Sequence, residues 1–216
     1  MIKVNDIEVF NVLKAIKGMR NPLESWDKMD SYKDKDKVVI GNNDLGLMRR
    51  LFKAGKDHRK FTRQILVSFD LTAPDYFFRE FDTYKVGTTA NSTSQMHKIM
   101  SKPFTEELFS CENILMSKDG DEHHKYSNHY KAFKHLLNAM NELREEWLKT
   151  KDPQIWKTLV QMCPQSWNYT RHITLNYEVL YNMYYSRKNH KLTEWREFCK
   201  ILEDQLPYFK EIAEIE

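Results

Sequence analysis

The chain has 216 residues, of which 41% are hydrophobic and 13% aromatic, which is enough for a core and excludes a disordered protein. Its net charge is only +3, so charge gives no reason to expect a nucleic-acid partner. No apolar run approaches the roughly 18 residues of a membrane span, and we expect neither a signal peptide nor membrane attachment. Cys111, Cys163 and Cys199 are widely spaced, which predicts reduced thiols and a cytoplasmic protein.

The domain organisation predicted from the sequence is simple. We find no internal repeat and no low-complexity linker, so we expect one domain over residues 1–216. A charged loop at 117–125, followed by His129, mixes carboxylates with imidazoles in a spacing that matches no metal motif. We therefore predict no metal site.

The first part of the chain alternates predicted helices and loops. Residues 2–4 suit a short strand, and residues 7–16 suit a helix with one apolar face. A mixed-charge loop at 27–37 is expected to be solvated. The next helix is predicted to begin at an asparagine cap and to end at Gly55.

The clearest strand covers residues 64–71, where apolar and polar residues alternate before Pro74 ends the pattern. Residues 75–85 are predicted to form a helix. Residues 87–95 follow, rich in hydroxyl and amide side chains and without an aliphatic residue larger than alanine. Such a segment is either a flexible linker or a loop that wraps a polar ligand with hydrogen bonds.

The second half of the chain is mostly helical by its pattern. The longest predicted helix runs from 127 to 150 with a continuous apolar stripe, which indicates core packing. Asp152 and Pro153 predict the start of a shorter helix that ends before Pro164. Residues 167–174 are expected to be extended.

The next helix carries Asn176, Asn182 and Arg187 beside apolar residues, and a final helix contains Trp195. Two amides and a guanidinium on one helix are suited to bind one polar ligand. The alternative is that Asn176 is an N-cap, Asn182 a solvated amide and Arg187 a solvated C-terminal charge. The whole order predicts an α+β protein with helices in the majority.

The order of elements and the spacing of these residues resemble the flavin-dependent thymidylate synthases over roughly residues 40–207. The spacings shared with that family are His58 sixteen residues before Pro74, Pro164 twelve before Asn176, and Asn176, Asn182 and Arg187 at intervals of six and five. The resemblance implies a helix-rich fold with a small, mainly antiparallel sheet.

The resemblance also implies a reaction. In that family, methylenetetrahydrofolate supplies a carbon unit, reduced FAD supplies a hydride, and dUMP becomes dTMP, with NADPH as a further co-substrate. No protein nucleophile is needed, because the protein holds its ligands in register and tunes the charge around the flavin. The family is homotetrameric.

The family's signature loop, RHRxxSxNxxSxRY, is only partly retained here. Its first three residues become Thr83-Tyr84-Lys85, its serines fall on Thr88 and Thr93, and its last arginine falls on Gln95. By resemblance the cofactor contacts are His58, Tyr84, Lys85, Asn91, Asn176 and Asn182. The corresponding nucleotide contacts are Glu80, Thr93, Gln95 and Arg187.

A later arginine of the family, which helps to hold the nucleotide, falls near Val160. Together with the departures at Thr83 and Gln95, this removes three cationic groups from the implied ligand site. An arginine holds phosphate bidentately, whereas threonine and glutamine donate only neutral bonds. Unexplained arginines that lie nearby in sequence and offer replacement are Arg59, Arg63, Arg79 and Arg171. Three hypotheses therefore stay open: thymidylate synthesis, modification of another pyrimidine nucleotide by a flavoprotein, and a non-catalytic oligomeric homologue.

Overall fold

The structure is a computed structural model that describes residues 2–115 and 127–215. The chain divides into two compact units. The first unit comprises the N-terminal residues up to Lys3 together with Thr72–Phe81 and Ser92–Arg171. The second unit comprises Val4–Leu71, Asp82–Asn91 and the residues from His172 onward. The expectation of one domain stays a prediction.

The described residues form six strands and ten helices. The strands are β1 Lys3–Phe10, β2 Tyr32–Asp34, β3 Lys37–Val39, β4 Leu66–Pro74, β5 Thr89–Ser92 and β6 Asn168–Asn176. The helices are α1 Val12–Met19, α2 Asn42–Lys53, α3 Asp75–Phe81, α4 Gln95–Lys98, α5 Glu112–Leu115, α6 Ser127–Thr150, α7 Pro153–Met162, α8 Tyr177–Arg187, α9 Thr193–Gln205 and α10 Phe209–Ala213. Within residues 2–115 and 127–215, no helix combines the length and the apolarity needed to cross a membrane.

The main sheet has four strands in the order β1-β4-β6-β5 and is antiparallel. Its register is visible in the second unit, where Ser68 bonds Thr174 at 2.6 Å and Asp70 bonds His172 at 2.7 Å. Residue numbers rise along β4 as they fall along β6, which is the pattern of an antiparallel pair. Phe69 lies between the two polar residues on β4 and is buried, so polar and apolar side chains occupy opposite faces.

The helix predicted for residues 7–16 is wrong at its start, because β1 continues to Phe10. Ile7 and Val9 are half-buried and alternate with exposed neighbours, which is a period of two. Asn11 then adopts a left-handed backbone with φ 67°, and α1 begins after it. A short apolar run fits both periods, and pairing with the sheet decides in favour of the strand.

The loop predicted for residues 27–37 is also wrong in part, because it contains half of a two-stranded hairpin. Strands β2 and β3 pair antiparallel, with Tyr32 opposite Val39 and Asp34 opposite Lys37. Lys35 takes the positive φ of 52° that the tight turn requires. The charged side chains stay on exposed strands, and for this reason their composition resembles that of a loop.

Helix α2 forms as predicted, but the predicted asparagine cap is wrong. Gly41 occupies the N-cap position, and the carboxylate of Asp30 accepts the N–H groups of Asn43 at 2.8 Å and Asp44 at 3.0 Å. Burial tends to raise the pKa of Asp30, but these two donors outweigh it and lower the pKa. Asp44 forms a buried ion pair with Arg20 at 2.6 Å.

Several other boundaries follow from local chemistry. The helix predicted for residues 75–85 ends at Phe81, and β5 occupies part of the polar segment that follows. Helix α6 has the predicted bounds. The predicted start of α7 is confirmed, since Pro153 is its first residue. The Asp152 carboxylate caps this helix by accepting the N–H of Gln154 at 2.7 Å.

The first unit is built around the helical pair α6 and α7. Its aromatic core residues pack edge to face around Trp167, which lies 5.6 Å from Phe104 and 6.0 Å from Phe109 between ring centroids. Phe133 of α6 closes the cluster, with its ring 5.6 Å from Phe109. This packing confirms that the apolar stripe of α6 is core.

The second unit is built around α8, most of whose residues are buried. The ring of Tyr181 stacks on Phe209 at 4.2 Å, and its hydroxyl donates to the Phe209 carbonyl at 2.8 Å. Tyr177 likewise donates to the carbonyl of Pro207 at 2.7 Å. Helix α8 can be enclosed on nearly all sides because its buried tyrosine hydroxyls find backbone acceptors.

The crowding at Gly41 gives a test of the α2 cap. A Cβ at residue 41 would collide with the Asp30 carboxylate, whereas a Cβ at Gly46 would meet only Arg50 at 3.7 Å. We expect Gly41→Ala to lower the free energy of unfolding by about 1–3 kcal/mol. Gly46→Ala should instead raise it by about 0.5–1 kcal/mol. Urea denaturation of both variants measures the difference, and equal effects would contradict the cap.

Candidate functional site

The N-terminus of α8 carries the first candidate group. Asn176 is the N-cap, because its Oδ1 accepts the N–H of Val179 at 3.1 Å, so that interpretation is confirmed. The same bond fixes the amide plane and leaves Nδ2 as a donor. This nitrogen lies against Gly87, where a Cβ would approach it to 3.0 Å. Gly87 also has φ 79°, a conformation that favours glycine.

Thr88 follows directly, and its side-chain oxygen is buried without a hydrogen-bond partner among the described residues. Its backbone N–H donates to the Lys85 carbonyl at 3.2 Å, which closes a turn at this point. A buried hydroxyl without a partner costs free energy, and such groups require an explanation in a folded protein. A polar ligand beside Gly87 would satisfy both Thr88 and the amide nitrogen of Asn176.

The C-terminus of α8 carries Arg187, whose guanidinium is held on two sides. Its Nε donates to the hydroxyl of Tyr84 at 3.0 Å. Its Cζ lies 5.0 Å from the ring centroid of Trp195, which is fully buried. The alternative of a freely solvated charge is therefore wrong for Arg187. These two contacts fix the orientation of a planar cationic group at this end of α8.

A buried ion pair attaches the segment that carries His58 to α8. Arg59 donates to one oxygen of Glu178 at 2.7 Å, and Thr62 donates to the other at 2.8 Å. The Arg59 guanidinium also lies 4.7 Å from the ring centroid of Phe52. No local sequence pattern indicates this pair, because its partners are 119 residues apart.

The remaining predicted residues divide between the two units. In the second unit His58, Lys85 and Asn91 are exposed and Asn182 is half-buried, and none of these side chains makes a hydrogen bond within the described residues. In the first unit lie Glu80, Thr93 and Gln95. Among the ten predicted residues, the structure joins Tyr84 to Arg187 by a direct hydrogen bond.

The three cysteines are not activated nucleophiles. Burial, with a contribution from Asp75, raises the pKa of the Cys163 thiol to about 12. Burial, with a contribution from Glu203, raises the pKa of Cys199 to about 12 as well. Burial also raises the pKa of Cys111. All three thiols stay protonated near neutral pH, and the thiolate is the reactive form.

Metal ligands are a separate question. Within residues 2–115 and 127–215, no group of three or more histidine, cysteine or acidic side chains is placed to hold a metal ion. The charged-loop residues considered from the sequence, namely Asp119, Asp121, Glu122, His123 and His124, lie outside the described residues.

The side chains around Gly87 fit the cofactor that the sequence resemblance implies. FAD has ring nitrogens, carbonyls, hydroxyls and phosphates, most of which accept hydrogen bonds. The second unit offers the orphaned hydroxyl of Thr88, the amide nitrogen of Asn176 and the ammonium of Lys85 as donors. The glycine allows the approach of a ligand to the backbone.

Solved structures with the same fold exist, although sequence comparison finds no relatives. No protein-family model matches the chain, and a search of curated proteins finds no match. A thymidylate synthase X (ThyX) from Helicobacter pylori, with FAD and dUMP, is 16% identical, with 99% of this chain and 97% of that chain covered and a TM-score of 0.64. A second structure, of a flavin-dependent ThyX from the same organism with the same ligands, is 17% identical, with 98% and 97% covered and a TM-score of 0.65.

A third structure is a UMP/dUMP methylase, PolB from Streptomyces cacaoi, bound with 5-Br dUMP. It is 17% identical, with 94% of this chain and 88% of that chain covered and a TM-score of 0.60. Identities this low show a shared fold. The predicted fold class, helix-rich with a small antiparallel sheet, is therefore confirmed.

The Arg59–Glu178 pair can be tested by removing one charge. Glu178→Gln leaves the Arg59 guanidinium without its counter-ion in a mostly buried position. We expect the free energy of unfolding to fall by about 2–4 kcal/mol, below the range for fully buried pairs because both side chains keep some contact with water. Hydrogen exchange should also become faster in residues 58–62.

Lys200→Gln is the matched control. It removes one charge from an exposed pair with Asp204 on α9, and exposed pairs of this kind contribute little. No measurable loss of stability is expected for it. If Glu178→Gln also left the free energy of unfolding unchanged in urea denaturation, the ion pair would not hold the His58 segment.

Proposed function

We propose that this protein is a flavin-dependent methyltransferase that converts a pyrimidine deoxynucleotide, dUMP to dTMP. The observation that carries the proposal is the donor site at Gly87, where the orphaned Thr88 hydroxyl and the Asn176 amide nitrogen lie on a ThyX-like fold. Bound FAD would supply the hydride, methylenetetrahydrofolate the carbon and NADPH the reducing equivalents.

The proposal assigns roles residue by residue. The cofactor-binding residues are His58, Lys85, Asn91, Asn176 and Asn182, with Tyr84 acting through Arg187. The nucleotide-binding residues are Glu80, Thr93, Gln95 and Arg187. We also propose a homotetramer, as the resemblance implies, in the cytoplasm.

The chain's own contribution is to hold and orient its ligands. Asn176 donates from a nitrogen whose direction is fixed by the helix cap. Arg187 presents a cationic guanidinium in an orientation fixed by Tyr84 and Trp195. Groups fixed before a ligand arrives lose little entropy on binding, so their hydrogen bonds contribute more to affinity. None of these roles requires a nucleophilic side chain.

A visible absorption spectrum tests the proposal directly. Protein purified and then dialysed against FAD should show flavin bands near one equivalent per chain. The same sample should bind dUMP by calorimetry, and should form dTMP when methylenetetrahydrofolate and NADPH are supplied. Absence of flavin under both conditions would contradict the proposal and favour a non-catalytic oligomer, for which the missing signature arginines are the motivating observation.

Asn176→Asp separates the structural role of this residue from its proposed ligand role. Aspartate caps a helix as well as asparagine does, so the free energy of unfolding should not fall. The substitution replaces the donor Nδ2 by a charged acceptor. We expect FAD to bind about tenfold more weakly, from one lost bond and added repulsion. Unchanged FAD affinity would remove Asn176 from the site.

Tyr84→Phe tests whether the hydroxyl orients Arg187. Loss of the 3.0 Å bond leaves the guanidinium free to rotate, and we expect dUMP to bind about 3–10-fold more weakly. The affinity for deoxyuridine, which lacks the phosphate, should change little. Tyr185→Phe is the control, because this neighbouring tyrosine is exposed and its hydroxyl makes no hydrogen bond among the described residues. Equal dUMP affinity in both variants would contradict the role.

A further inference from the structure

The first unit contains a cavity of about 390 Å³, a volume within the range of small-ligand sites. It is lined by two lysines, two hydroxyl residues and three apolar residues: Lys98, Lys102, Thr93, Ser101, Ile99, Leu108 and Trp167. None of the predicted cofactor residues lines it. The kind of ligand that suits the cavity must therefore be inferred from the side chains that line it.

The charge of the cavity lining has one sign. Lys98 and Lys102 are its charged residues, and no carboxylate lines it. Neither ammonium group has a hydrogen bond or an ion pair with the residues that the structure describes. Glu106, close in sequence, accepts from Tyr130 and lies 3.2 Å from Lys134. A cavity with two unneutralised cations attracts an anion.

The backbone that carries Thr93 and Lys98 is fixed by neighbouring elements of the same unit. The N–H of Thr93 donates to the carbonyl of Thr170 in β6 at 2.9 Å. The indole N–H of Trp156, from α7, donates to the carbonyl of Met96 at 3.1 Å. Helix α4 is thereby held in place at its second residue, two residues before its end at Lys98.

The backbone on either side of Lys102 is fixed by α6. The amide of Asn141 makes two bonds to the backbone of Phe104, accepting its N–H at 2.8 Å and donating to its carbonyl at 3.0 Å. Arg144 donates to the carbonyl of Met100 at 3.1 Å. The turn that carries Lys102 is thus anchored on both sides, while the lysine stem stays exposed.

The remaining wall is apolar and partly aromatic. Ile99 and Trp167 are 2% and 8% exposed, and Leu108 is half-buried. This wall suits a flat or apolar body, and the hydroxyl of Thr93 adds a neutral donor for an oxygen atom, whereas the Ser101 hydroxyl already donates to the Lys98 carbonyl at 2.7 Å. A phosphate monoester on an aromatic nucleoside has all of these complementary features.

The arginines that the sequence offered as replacement cations are already engaged. Each guanidinium donates within its own unit: Arg59 to Glu178, Arg63 to the Lys56 carbonyl, Arg79 to Asp75, and Arg171 to the Tyr169 hydroxyl. Arg171 also lies over the Phe78 ring at 4.1 Å. The ammonium groups of Lys98 and Lys102 make no such bonds within the described residues.

We propose that Lys98 and Lys102 bind the phosphate of the pyrimidine nucleotide and replace the arginine charge that is missing from the signature loop. The inference rests on the proposed function and adds residues that the resemblance did not assign. An ammonium group supplies charge without the planar fork of arginine. Two of them can neutralise a phosphate dianion, with the Thr93 hydroxyl donating to a remaining oxygen.

The test uses the full chain with three variants: Lys98→Gln, Lys102→Gln and the double variant. Calorimetric titration with dUMP should show about tenfold weaker binding for each single change and about a hundredfold for the double change, as for charge-assisted bonds. Deoxyuridine should bind all variants equally. Inorganic phosphate should compete with dUMP in the wild-type protein and fail to do so in the double variant.

Lys149→Gln is the matched control, since Lys149 is an exposed lysine of the same unit that does not line the cavity. If the double variant bound dUMP as the control does, the inference would be overturned. FAD content, measured on the same samples, reports on the proposed function separately. If the double variant binds flavin and its dUMP affinity is unchanged, the lysine assignment alone is wrong. If the protein contains no flavin but the double variant loses the competition between phosphate and dUMP, the lysine assignment is supported and the proposed flavin reaction is not.

Discussion

The position of the His58 segment in the second unit depends on one buried carboxylate. Glu178 lies on the first turn of α8 and is 8% exposed, so its charge must be compensated inside the protein. Arg59 and Thr62 supply the compensation from a segment far away in sequence. The position of that segment, and with it His58, is therefore set by the requirement to pair a charge. Apolar packing alone does not determine such a register, because it is not directional.

The same helix organises the rest of the candidate site through its two ends. At its N-terminus, capping fixes one atom of Asn176 and presents the other to the backbone at Gly87. At its C-terminus, Tyr84 and Trp195 restrain Arg187. Each polar group is thus oriented by a bond that belongs to the folded protein itself. This is the physical meaning of preorganisation.

The sequence predicted those parts of this arrangement that depend on local chemistry. The start of α7 at Pro153, the bounds of α6 and the alternation along β4 are all local, and each is present. Ile7 and Val9 of β1 are wrongly predicted to lie in a helix, because their spacing also fits a helical period and only the pairing with the sheet decides between the two. The bond between Tyr84 and Arg187 spans 103 residues, and no local pattern reports such a contact.

The missing signature arginines change how phosphate would be recognised. An arginine fork selects phosphate by geometry, so its loss removes direction as well as charge. Lysines on exposed stems would restore the charge, but an ammonium group binds an anion in many orientations. If the lysines bind the phosphate as proposed, discrimination between nucleotides would depend on the apolar wall formed by Ile99, Leu108 and Trp167. Shape and desolvation at that wall would set the choice of substrate, and salt would weaken binding more than it does for a bidentate arginine site.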